Sequence, residues 1–198
     1  MSLSHPALEH LPRGWFHHGA QVLALLEQHR PRVIVELGTH LGASAIAMAR
    51  VVRTWGGVVY CVDTWSGVPQ IGASVTPLRI FECATNLVAA GVGASVRLIP
   101  ATTALAAKRW AGPLIDVLYV DADHTYEGCV ADLVTWTPHV RAGGLLLGDD
   151  YAHPGYPGVR RAWEDFSAMH GLTLQLGDPH TTHPPGMRLV YTEWKSCA

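Results

Sequence analysis

At 198 residues, 48% apolar and 15% charged, the chain is long enough to bury a full α/β core and has no charge excess of the kind that keeps a chain disordered. A formal net charge of -2, with Lys and Arg scattered apart from short pairs such as Arg160-Arg161, excludes the basic footprint of a nucleic-acid binder. No apolar run approaches the roughly 18 residues of a membrane-spanning helix, so no membrane partner is expected either.

In chain order, Val22, Leu23, Leu25 and Leu26 recur at helical spacing within residues 15–29, and Arg30-Pro31 ends the pattern. A strand over 32–36 and a helix over 43–52, rich in small residues that pack closely on a sheet, follow. The unit repeats as a strand over 58–63, a helix over 77–90 closed by Gly91, and a strand over 95–99. A short helix over 102–110, a strand over 116–120, a helix over 126–140 and a strand over 145–148 come next. Beyond the Pro/Gly-punctuated loop 153–158 lie a helix over 159–170 and two strands, 172–176 and 187–191, whose connection is too short for a crossover and predicts an antiparallel hairpin. The expected fold is a Rossmann-like, doubly wound α/β architecture: a mostly parallel seven-stranded sheet with a C-terminal antiparallel hairpin. We expect one domain over 1–198, with 1–31 as a helical cap and 32–198 as the core. Cys61, Cys83, Cys129 and Cys197 lack CxxC spacing and read as buried free thiols, and the N-terminus lacks a secretory pattern, so a cytoplasmic protein is expected.

Two groups of residues carry chemistry. Glu36-Leu37-Gly38-Thr39-His40-Leu41-Gly42-Ala43-Ser44 puts two glycines in the first strand–helix turn, where backbone approaches a ligand and the helix N-terminus offers free N–H groups. The spacing is Gly-x-x-x-Gly, not the Gly-x-Gly-x-x-Gly of dinucleotide folds, which argues against a pyrophosphate cradle and an NAD-dependent oxidoreductase. Asp63, ending the second strand, is placed to accept from both hydroxyls of a ribose, so an adenosine-bearing ligand without pyrophosphate fits best. Farther on, two apolar runs end in acids, and neighbouring strands would bring Asp121, Asp123, Asp149 and Asp150 to one sheet edge. Carboxylates gathered there require a proton or a cation.

Glu36-x-Gly38-x-x-x-Gly42-x-Ser44, Asp63-Thr64-Trp65, Asp121-Ala122-Asp123 and Gly143-Gly144 followed by Asp149-Asp150 together resemble the class I S-adenosylmethionine-dependent methyltransferases. Within that class the likeness is to the small metal-dependent O-methyltransferases of the caffeoyl-CoA, catechol and macrocin types, and it runs over about 33–151. The resemblance implies that Glu36, Gly38, Thr39, Gly42 and Ser44 line the methionine and ribose portion of S-adenosylmethionine, that Asp63 holds the ribose, Thr103 sits by the adenine and Asp123 meets the cofactor's amino group. It implies a divalent metal on Asp121, Asp149 and Asp150, with Mg2+ favoured by all-oxygen ligation and Mn2+ or Ca2+ as alternatives. Asp150 departs from the Asn of the catechol and caffeoyl types. Asp121 and His124 are the implied catalytic residues: His124 replaces a family Lys and, at an ordinary pKa of about 6.5, would take the acceptor's proton at neutral pH.

The implied acceptor is a hydroxyl on a small molecule, a sugar or a phenol or catechol, with Trp65 and the segments 66–76 and 153–156 as pocket candidates. The short chain leaves the pocket to be completed by the N-terminal helix or by a second subunit, so a homodimer is expected. Metal-independent transfer to nitrogen or carbon, and a non-catalytic cofactor-binding role, are the alternative readings. His17-His18 and His180-x-x-His183 lack a further ligand at standard zinc spacing and read as pocket-lining residues.

Overall fold

The computed structural model describes residues 5–14, 16–66, 78–180 and 185–195. Helices and strands alternate: α1 (Gly19–His29), β1 (Val33–Leu37), α2 (Ala43–Val52), β2 (Val58–Asp63), α3 (Arg79–Ala89), β3 (Val96–Pro100), α4 (Thr103–Lys108), β4 (Ile115–Val120), α5 (Tyr126–Trp136), β5 (Val140–Tyr151), α6 (Pro157–His170), β6 (Gln175–Leu176) and β7 (Arg188–Glu193). The strand order is β3-β2-β1-β4-β5-β7-β6. Neighbours from β3 to β5 pair in parallel, while β7 runs antiparallel to both β5 and β6. The chain winds outward from β1 through β2 to β3 and then returns to lay β4 on the other side of β1. That reversal opens a crevice beyond the carboxyl ends of β1 and β4, where ligands bind in sheets of this kind.

Two apolar layers cover the sheet. Val22, Leu23 and Leu26 of α1 and almost all of α2 pack with Ile34, Val59, Val117, Tyr119 and Leu147 on one face. Leu133, Trp136, Trp163 and Phe166 pack with Val35, Leu37, Leu118 and Leu146 on the other. The alternation of side chains along each central strand makes both faces apolar, which is why these strands read as continuous hydrophobic runs.

Expected bounds shift where local chemistry competes. The 126–140 helix stops at Trp136, because Pro138 cannot continue it and sits in a 3-10 turn at Thr137–His139; β5 then starts at Val140. Gly171, at φ +61, terminates α6, and Leu172 and Leu174 pack against the core, leaving Gln175–Leu176 as the edge strand. Cys61, Cys83 and Cys129 are buried free thiols as expected, whereas Cys197 and Trp15 lie outside the described residues. No helix among the described residues is long and apolar enough to cross a membrane.

At the sheet's opposite end, one carboxylate ties three strand starts together. Asp116 Oδ2 accepts from the backbone N–H groups of Arg32 and Val33, both at 2.8 Å, and Oδ1 accepts from Arg141 Nε at 2.6 Å. Burial pushes the Asp116 pKa up, but the Arg141 and backbone bonds outweigh it and hold the group below its ordinary value. A depressed carboxyl stabilises the fold above the ordinary carboxylate pKa and stops doing so as pH falls through the folded-state value. Asp116→Ala is therefore expected to cost about 2 kcal/mol at neutral pH, with the gap to wild type closing in acid, as measured by urea unfolding across pH.

Candidate active site

The first strand ends in a buried polar knot. Glu36 is fully buried, and its two carboxyl oxygens accept from the hydroxyls of Thr39, at 2.8 Å, and of Ser44, which pins the turn to the first residues of α2. Burial, only partly offset by those two hydroxyls, raises the Glu36 pKa to about 7. Thr39 and Ser44 are buried too, so this knot shapes the loop from behind. Gly38 and Gly42 adopt φ +88 and +89. A side chain on Gly38 would strike the carbonyl of Asp121, so its glycine is required by the close approach of the β1 and β4 ends, in addition to any ligand.

Asp63 fixes the adjoining loops. Its Oδ2 accepts from the His40 N–H at 2.8 Å and its Oδ1 from the Trp65 N–H at 2.6 Å. Trp65 is buried and donates through Nε1 to the His40 carbonyl at 2.7 Å. Ala101 N–H bonds the Asp63 carbonyl at 3.0 Å, which sets Thr103, the first residue of α4, beside this end of β2. The Thr103 hydroxyl is engaged by Asp132. Of the pocket candidates 66–76, residues 67–76 lie outside the described set.

Ahead of α5, Asp123 is exposed and its Oδ1 accepts from the Thr125 N–H at 2.9 Å, so it braces the turn whose next residue caps the helix. The acids ending β4 and β5 do converge. Ligand atoms of Asp121, His124 and Asp150 all lie within 4.8 Å of one another. His124 Nε2 is 2.9 Å from Asp150 Oδ2 and 3.4 Å from Asp121 Oδ1. Asp150 and Ala152 take left-handed backbone, φ 58 and 64, where the β5–β7 register shifts, and that bend aims Asp150 toward His124.

Asp149, expected in the same ligand set, faces a different group. Tyr119 donates its hydroxyl to Asp149 Oδ2 at 2.8 Å, the Asp150 N–H donates to Oδ1 at 2.9 Å, and His18 Nε2 lies 3.7 Å from Oδ1. Asp149, still in regular strand, meets Tyr119 of the α1 layer, whereas the left-handed backbone at Asp150 turns the next carboxylate to His124; the two acids and Asp121 remain near enough to repel one another. Burial, then repulsion from Asp150, raises the Asp149 pKa, and burial does the same at Asp121.

His124 differs from expectation. Burial pulls its pKa down, but hydrogen bonds to Asp121 and Asp150 push it up to about 10. It is an imidazolium at neutral pH, serving as the counter-charge of the acids and not as a neutral base. Its ring stacks on Tyr156 at 4.5 Å between centroids, and Tyr156 stacks on His153 at 4.2 Å, so the loop before α6 borders the site as anticipated. One site group escaped sequence reasoning, Tyr119 as an Asp149 partner, while His18, read from the sequence as pocket-lining, lies beside the same carboxylate. A tyrosine inside an otherwise aliphatic strand was the available signal, because a buried phenol needs a hydrogen-bond partner.

A family described as "Methyltransferase domain" matches residues 35–151, and the chain belongs to it. The fold is similar to that of cofactor-bound Rv0187 from MTB, with a TM-score of 0.78 at 20% identity over 95% of this chain and 85% of that one. It is similar also to an O-methyltransferase from Bacillus cereus in complex with SAH, with a TM-score of 0.73 at 18% identity over 93% and 84% of the two chains. TomG, an O-methyltransferase from Streptomyces achromogenes involved in tomaymycin synthesis and solved with SAM, gives 0.71 at 18% identity over 93% and 82%. By sequence, the chain is 29% identical over 171 residues to the uncharacterized protein y4gI of Sinorhizobium fredii (strain NBRC 101917 / NGR234). That match covers 84% of this chain, which spans only 18% of the relative's length.

The raised pKa of Glu36 has a measurable sign. A carboxyl that holds its proton more tightly when folded stabilises the protein below its ordinary value of 4.5, and that stabilisation is lost as pH rises through about 7. Glu36→Gln removes the titration. Its stability relative to wild type is expected to improve by roughly 3 kcal/mol between pH 5 and pH 8 in urea unfolding, since each pKa unit is about 1.4 kcal/mol.

Proposed function

We propose that this chain is an S-adenosylmethionine-dependent O-methyltransferase acting on a hydroxyl of a small molecule, sugar or phenol, with a divalent cation organising the acceptor. The observation that carries the reading is the gathering of Asp121, His124 and Asp150, with Asp149 alongside, at strand ends that touch the Gly38 turn. The methyltransferase-domain match and the fold shared with proteins solved in complex with SAH and SAM support it.

The residues present fit both groups. Each Asp63 oxygen takes one backbone N–H and keeps a lone pair for a ribose hydroxyl, while the Glu36–Thr39–Ser44 knot keeps the turn in shape around the methionine portion. Thr103 and Asp123 are the assigned neighbours of the adenine and of the amino group. Asp121, Asp149 and Asp150 would hold the cation, whose charge would stand in for that of the His124 imidazolium. The raised pKa values of Asp121 and Asp149 and the imidazolium between Asp121 and Asp150 mark a place where positive charge is favoured. When bound, the cation lowers the pKa of the acceptor hydroxyl and fixes its oxygen, and S-adenosylmethionine provides an electrophilic methyl group. The chain's own part is orientation. The Tyr156–His124 stack and the carboxylates would define where the acceptor oxygen rests, and Asp121 is the group at hand for its proton, with the His124 imidazolium 3.4 Å away as its counter-charge.

A metal-independent enzyme is the second reading, and one observation favours it: His124, 2.9 Å from Asp150, supplies the acids with a positive charge from the chain itself. Turnover that persists undiminished in EDTA would select it. Under the first reading, Asp63→Ala should weaken S-adenosylmethionine binding about 10- to 100-fold in calorimetry, the worth of a charge-assisted hydrogen bond. Asp149→Ala should leave that affinity within about twofold and abolish the chelator-sensitive turnover. Equal losses of cofactor affinity in the two variants would reverse the assignment of roles.

A further inference from the structure

We propose that His18 is a positioning residue for Asp149, which makes the segment ahead of α1 a working part of the site. The inference rests on the reading of Asp149 as a cation ligand. The side chains of His18 and Asp149 are 1% and 4% exposed, and Nε2 of His18 has no hydrogen-bond partner among the described residues. A ring nitrogen so placed, 3.7 Å from Asp149 Oδ1, is too far for a hydrogen bond and close enough for direct electrostatic contact with little solvent between.

The ring's placement is dictated by the fold. His18 is the N-cap of α1, its carbonyl accepting from the N–H groups of Gln21 and Val22 at 2.9 and 3.0 Å, and α1 is anchored to the sheet by Val22, Leu23 and Leu26. Two residues earlier, Phe16 meets Tyr119 edge-on at 6.2 Å, so one short segment touches both side chains that flank Asp149. His180, from the stretch before β7, stands against the rings of His17 and His18 at 4.9 and 6.0 Å and backs them from the far side. Asp149 is thus held by the Tyr119 hydroxyl and by the Asp150 N–H, and the His18 imidazole stands beside its Oδ1, where it limits how the carboxylate can turn. Both Phe16 and His18 lie before the 35–151 span that matches the methyltransferase family, so nothing in that match assigns them a role.

The test is Mn2+ binding to the full chain, followed by titration calorimetry in the presence of S-adenosylhomocysteine, with the affinity for S-adenosylhomocysteine and the melting temperature recorded for each variant. His18→Ala should weaken Mn2+ binding about tenfold or more, the effect usual for loss of a group that orients a metal ligand, and leave S-adenosylhomocysteine affinity unchanged. His18→Phe keeps the ring volume without the nitrogen, guards against a folding defect, and should show the same loss; His18→Gln should recover part of the affinity. A purely structural role would lower the melting temperature without moving Mn2+ affinity. Unaltered Mn2+ affinity in folded His18→Phe, with wild type binding normally, overturns the positioning role and leaves the cation reading standing. Failure of wild type to bind Mn2+ overturns both.

Discussion

Like charge brought together at the ends of β4 and β5 is the constraint on which the rest of the site depends. Asp121, Asp149 and Asp150 repel one another in a partly buried setting, and their mutual penalty is reduced by three different means. His124 inserts a positive charge between two of them, the Tyr119 hydroxyl and a backbone N–H satisfy the third, and burial with mutual repulsion raises the pKa values of Asp121 and Asp149. Such an arrangement is stable enough to fold, and on the proposed reading a divalent ion would relieve the same repulsion.

The two halves of the crevice are mechanically joined. The knot of Glu36, Thr39 and Ser44 shapes the turn after β1, and Gly38 in that turn lies against the Asp121 carbonyl with no room for a side chain. Asp121 N–H in turn bonds the Leu37 carbonyl at 3.0 Å. A shift of the Gly38 loop therefore moves the backbone that carries the first acid, and on the proposed reading a donor and an acceptor bound on either side would be aligned by the same few backbone contacts. Alignment is the dominant requirement of a displacement reaction, which has no covalent enzyme intermediate to stabilise.

Asp116 does at the opposite edge what Asp63 does at the ligand edge. Each carboxylate collects two backbone N–H groups from neighbouring segments, and each fixes the separation of adjacent strands. One such clasp sits at the stable end of the sheet and adds Arg141; the other sits where loops diverge and retains acceptor capacity. The same physical device thus serves stability at one end and, on the proposed reading, recognition at the other.

Much of this was legible in the residues themselves. The period of the apolar positions dictates the strands and helices, because each central strand is buried on both faces and most helices on one, and Gly38, Asp63 and the acids after β4 and β5 stand at strand ends wherever the exact boundaries fall. Other matters were decided only by tertiary packing. Strand β5 carries Asp149 to Tyr119 while the left-handed backbone at Asp150 turns it to His124, and two carboxylates adjacent in sequence carry no sign of which partner each will meet until that bend is built. The charge state of His124 depends on two acids brought to it from separate strands, and the approach of His18 depends on how α1 docks. Contacts of that kind join positions far apart in the chain, so no local pattern of residues encodes them.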